Sequence, residues 1–212
     1  MSMTRWSRAE EEMTELEQSL HDAAAANDAE KVASLIKAGV KIDARDKAQR
    51  TALLIATRAN AIAAARVLIE TGADVNAKDN IRDTPFLYAG AEGRLEILRM
   101  TLKAGANLKD TNRYGGTALI PACHHGHPET VRELLKTGID IDHVNRLGWT
   151  ALLETIILSD GGPVHQDILK QLIDAGADVN LPDGQGVKPL AHARERGYAD
   201  MVRMLEAAGA KD

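Results

Sequence analysis

The apolar residues of this chain recur at helical spacing, in short runs separated by polar turns. Leu95, Ile97 and Leu98 in one run, and Val131, Leu134 and Leu135 in a later one, line one face of a helix. No apolar run approaches the roughly 18–20 residues of a membrane span. The pattern predicts short amphipathic helices, none of which buries its apolar face alone.

The runs are copies of one another. Thr51-Ala52-Leu53-Leu54, Thr84-Pro85-Phe86-Leu87, Thr117-Ala118-Leu119-Ile120 and Thr150-Ala151-Leu152-Leu153 start 33 residues apart. Gly39, Gly72, Gly105 and Gly138 also fall 33 apart, and Gly176 follows after 38 and Gly209 after 33 more. Each unit reads as a helical hairpin. The Thr hydroxyl at its start can accept a free backbone N–H. Pro85 and Pro189 stand one place later, where a missing N–H costs nothing. Ala56, Ala89, Ala122 and Ala193 recur inside the first helix and allow close packing. Gly93, Gly126 and Gly197 are placed to end that helix in the left-handed region.

The 33-residue period and its Thr-led starts resemble the ankyrin-repeat family, whose signature is Thr-Pro-Leu-His-x-Ala, over residues 13–212. Asn112-Arg113-Tyr114-Gly115-Gly116-Thr117 and Gly148-Trp149-Thr150-Ala151-Leu152-Leu153-Glu154 are similar to the small stand-alone ankyrin proteins of bacteria. The resemblance implies an all-α ankyrin-repeat solenoid of helix–turn–helix units with β-turn connections. Its expected repeats are 13–45, 46–78, 79–111, 112–144, 145–182 and 183–212, after a polar tail over 1–12.

The ends and one insertion depart from the pattern. The first unit lacks the Thr signature, and Glu10 to Ala26 reads as one polar-faced helix. Lys188 replaces Thr in the last unit. Both fit terminal units that show one face to water. Trp6 is a candidate to fold back on the first helix. The five extra residues of the fifth unit predict a longer first helix, a Gly161-Gly162 turn and a second helix restarting at Pro163. That insertion reads either as a border of a binding face or as a neutral elaboration.

Composition narrows the function. Aromatics make up 3% of the chain against 44% hydrophobic residues, so the core is aliphatic and a β fold is disfavoured. The net charge is −5 with scattered Lys and Arg, which does not match a nucleic-acid binder. Residues 1–12 contain no apolar leader segment. The expected compartment is the cytoplasm, or the periplasm if a leader has been removed. The expected state is a monomer.

The resemblance implies that a partner protein lies in the concave groove formed by turn tips and first helices. The groove positions include Ile81 and Asp83, Arg113 and Tyr114, and Leu147 and Trp149 on turns, with Arg58, Glu92, His124, His125 and Leu158 at helix ends. Tyr, Trp and Arg are the residue types that anchor interfaces. Trp149 reads as a contact residue, or else as a side chain that packs on the neighbouring turn and stiffens the array.

The remaining chemistry is thin. His124, His125, His127 and His143 are close in sequence but lack zinc-site spacing. They leave a metal- or small-ligand-binding accessory protein as the alternative reading. Cys123 occupies a small-residue position and reads as a buried thiol. No nucleophile elbow, Walker loop or His-Glu-x-x-His motif occurs, and Gly184-Gln185-Gly186 lacks the strand that a dinucleotide fingerprint needs. The expectation is a non-catalytic protein-binding scaffold with no metal and no cofactor.

Overall fold

A computed structural model describes residues 13–211, and every regular element among them is helical. The helices pair as hairpins: α1 (Glu15–Ala25) with α2 (Ala29–Lys37), α3 (Ala52–Arg58) with α4 (Ile62–Glu70), and α5 (Pro85–Ala91) with α6 (Leu95–Lys103). Then come α7 (Leu119–His124) with α8 (Pro128–Leu135), α9 (Ala151–Ile157) with α10 (Pro163–Asp174), and α11 (Pro189–Glu195) with α12 (Ala199–Ala207). First helices stack on first helices in the order α1, α3, α5, α7, α9, α11, and second helices stack likewise from α2 to α12. No described helix is long and apolar enough to cross a membrane.

The core runs unbroken through the stack. Leu53, Leu68, Phe86, Leu98, Leu119, Leu134, Leu152, Leu172 and Leu205 are fully or almost fully buried within it. Each such side chain contributes about 1.5–3 kcal/mol on burial. Ala56, Ala89, Ala122 and Ala193 are buried where successive first helices meet, as their small size requires.

Helix starts follow the threonines at three of four places. Thr51, Thr84 and Thr150 accept from the N–H of Leu54, Leu87 and Leu153 at 3.3, 3.0 and 3.2 Å. Thr117 does not cap. Elsewhere the cap carbonyl also takes an N–H four residues on, as Thr84 O takes that of Tyr88 at 2.9 Å. Four residues after Thr117 stands Pro121, which has no N–H to give. The helix is regular only from Leu119, and the Thr117 hydroxyl is buried without a partner.

Two further expectations change. The first unit does carry a capping threonine: Thr14 and Glu17 form a reciprocal capping box, so α1 starts at Glu15. Glu10 to Glu12 and Trp6 lie outside the described residues. The insertion does not lengthen its first helix, since α9 has seven residues like α3, α5 and α11. It extends the second, α10, to 12 residues starting at Pro163. The Tyr198 hydroxyl donates to Ser159 O at 2.6 Å and holds the linking loop down on the last unit.

The hairpin corners carry left-handed residues. Gly93, Gly126 and Gly197 have φ of 63°, 75° and 72°, and Asn27 and Asn60 take that corner in the first two units at 58° and 53°. Asn is the non-glycine residue that tolerates this region best.

Candidate binding groove

The turn tips that border the groove are built on one polar residue each. Asp46, Asp79, Asn112, Asn145 and Asp183 occupy the same corner of successive turns. Each Oδ1 accepts two backbone N–H groups, two and four residues on, at 2.9–3.1 Å. The first four fall 33 apart, though of them only Asn112 stands in a motif named from the sequence. Their signal was an Asp or Asn alternating at one register position, which is the composition of a side-chain-closed turn.

Two pairs of neighbouring tips are joined by backbone bonds. Asn80 N–H donates to Ala48 O at 3.0 Å, and Arg146 N–H donates to Tyr114 O at 2.9 Å. Among the described residues, no equivalent bond joins Arg113 N–H to Ile81 O. The Arg113 guanidinium instead stacks 4.8 Å from the centre of the Tyr114 ring.

At this unjoined step lies a groove of about 560 Å³. Of the residues singled out by sequence, Arg58, Ile81, Asp83, Glu92, Arg113, Tyr114, His124 and His125 all line it. Trp149 does not line it and is half-buried, while Asn145 and Leu147 of the same turn do. Tyr88, Pro121, Glu154 and Leu158 complete much of the wall.

The rim is apolar and open. Ile81, Tyr114 and Leu147, spaced 33 apart on successive tips, are 38%, 52% and 54% exposed. The interior is charged. The Arg58 guanidinium lies 4.5 Å from the Tyr88 ring centre, and its Nη1 is 3.9 Å from Asp83 Oδ2. Burial, and then the negative charge of Asp79, raise the Asp83 carboxyl above its ordinary value. Glu154 is the most enclosed acid of the groove. Its side chain is 8% exposed, and burial pushes its carboxyl up to about 7, against the opposing bond from Asn145 Nδ2 to Oε1 at 2.8 Å.

His125 and His165 tie neighbouring units together, and His143 ties the end of its own unit to the unit's turn. His125 Nδ1 donates to Ala91 O at 2.6 Å, His143 Nε2 to Gly115 O at 2.7 Å, and His165 Nε2 to His124 O at 3.0 Å. The His127 ring fills the space beside Gly93, where any Cβ would lie 2.7 Å from Nδ1. The His124 and His125 rings are 4.7 Å apart. Among the described residues, no group of three His, Cys, Asp or Glu side chains is arranged to hold a metal ion. Cys123 is buried, and burial raises its thiol far above the ordinary range.

Comparison with known proteins places this geometry. A family model described as ankyrin repeats in three copies matches residues 20–112 and 86–183. An ankyrin repeat domain from Acinetobacter baumannii AYE is 58% identical, with a TM-score of 0.88 over 91% of this chain and 98% of that one. The ankyrin repeat protein EF0377 is 40% identical, with a TM-score of 0.86 over 90% of this chain and 97% of its own. The ankyrin repeat domain of Bcl-3, a member of the IkappaB protein family, is 28% identical with a TM-score of 0.83, over 91% of this chain and 86% of its own. The ankyrin repeat protein YahD of Escherichia coli K12 is 47% identical over 58 residues, which are 27% of this chain and 29% of that protein. The match thus spans under a third of that curated relative. The chain belongs to the ankyrin-repeat family, whose repeats are in general protein–protein interaction modules on a typically non-catalytic scaffold.

Proposed function

We propose that the chain acts as a monomeric, non-catalytic scaffold that holds a segment of a partner protein in the groove bounded by the third, fourth and fifth turns. The observation that carries this reading is the exposed row of Ile81, Tyr114 and Leu147. Large side chains held open on rigid tips can dock with little loss of freedom, so a few anchors suffice for useful affinity. The tips are stiffened by their Asp and Asn closures and by bonds to neighbouring tips.

The test compares capture from native lysate by the parent chain and by a Tyr114→Ala/Leu147→Ala double variant. Both side chains are exposed, so the variant is expected to melt like the parent. A partner retained by the parent and lost by the variant supports the reading. A partner held equally by both removes the row of tips from the interface.

A further inference from the structure

One carboxylate oxygen of the groove lining has no protein partner among the described residues. Glu154 Oε1 is bonded by Asn145 Nδ2 at 2.8 Å, whereas Oε2 receives no hydrogen bond from any described residue. The nearest charged-capable atom to Oε2 is His124 Nδ1 at 3.8 Å, too far for a hydrogen bond. Burial lowers the His124 imidazole below its ordinary value.

The two groove arginines are engaged elsewhere. Arg58 stacks on Tyr88 with Asp83 3.9 Å away, and Arg113 stacks on Tyr114. Glu92 adds a third carboxylate to the lining. The Glu154 end is therefore short of positive charge in a chain already at −5. Leu158 lies one helical turn beyond Glu154 on the same side, and Pro121 faces the same space. An apolar wall with a buried carboxyl at its foot matches an aliphatic stem ending in a cation.

We propose that the partner segment inserts a basic side chain, lysine or arginine, whose charged head bonds Glu154 Oε2 while its stem lies along Leu158 and Pro121. This deepens the groove reading and rests on it. The Tyr114 and Leu147 rim would hold apolar residues flanking the basic one. A cation at Oε2 would also offset the burial that holds the carboxyl up.

A phage-displayed library of random heptapeptides, panned on the folded full chain, tests this. Recovered peptides are expected to share a Lys or Arg. Replacing that residue by norleucine should weaken binding to the parent by about tenfold or more, yet change binding to Glu154→Gln by less than about twofold. In the parent, the Glu154 carboxyl ¹³C resonance should move with the basic peptide and stay still with its norleucine form; this readout stands even where Glu154→Gln folds poorly. Peptides without a basic residue, or an equal norleucine penalty on both proteins, overturn the basic-anchor proposal. If those peptides are lost on Tyr114→Ala/Leu147→Ala, the groove reading survives that result. No recovery above a blank, or binding indifferent to that double variant, takes down both.

Discussion

Asn145 ties the fifth turn to the groove wall: its Nδ2 donates to Glu154 Oε1 at 2.8 Å while its Oδ1 takes the N–H groups of Leu147 and Trp149. One amide thereby closes the turn, sets Leu147 on the rim and holds the buried carboxyl at the foot of the wall. An Asp at this place, as in the second and third turns, would close the turn but set a second negative charge against Glu154. Asn145→Asp is expected to leave the turn intact and raise the Glu154 carboxyl further, read by ¹³C titration.

Glu154 makes stability depend on pH with a definite sign. Its carboxyl moves from 4.5 to about 7 on folding. Between those values the folded chain keeps the proton and the unfolded chain releases it, so this contribution falls as pH rises. Glu154→Gln removes the term. Its stability relative to the parent should climb between pH 4.5 and 8 by up to about 3 kcal/mol. Urea denaturation of both proteins across that range checks it, and parallel curves would exclude the effect.

Thr84 and Thr117 occupy the same register but do opposite work. Thr84→Val deletes a cap bond and should cost about 1–2 kcal/mol. Thr117→Val deletes a buried hydroxyl that has no partner and should be neutral or stabilising by about 1 kcal/mol. Thermal melts of the pair settle the contrast.

Gly148 and Gly186 separate backbone strain from crowding. Both have positive φ, at 80° and 84°. A Cβ on Gly186 meets nothing within 4 Å, whereas one on Gly148 lies 2.6 Å from Gly184 N in the next turn. Gly186→Ala should cost about 1–2 kcal/mol, and Gly148→Ala at least about 1 kcal/mol more, because backbone cannot yield as a side chain does. Equal losses in chemical denaturation would mean that the two turns can part freely.

Leu134 is fully buried between stacked units. Leu134→Ala should lower stability by about 2–5 kcal/mol, read from the same denaturation curves.

The repeat was legible because one local geometry recurs. Thr51, Thr84 and Thr150 meet the same N–H each time, and the corner glycines meet the same left-handed turn. Thr117 departed because Pro121, a helix residue on its own, removes a bond from a position four places back. In the insertion Pro163 starts the second helix as its position predicts, but the extra residues do not lengthen α9, and Tyr198, 39 residues from Ser159, holds the loop between. The groove positions followed from register, so ten of the eleven named line one groove, Trp149 being the exception. Glu154 was missed as a wall residue: nothing in sequence distinguishes a buried helix carboxylate from an exposed one. The missing bond between Arg113 and Ile81, beside which the groove opens, depends on how two turns sit together and leaves no mark in composition.

The most direct measurement is hydrogen–deuterium exchange on the chain with and without its captured partner. Protection should concentrate in the turns at 79–83, 112–116 and 145–149, and in the ends of α5, α7 and α9. Protection confined to α4, α6 and α8, on the second-helix side of the stack, would place the partner there and contradict the groove.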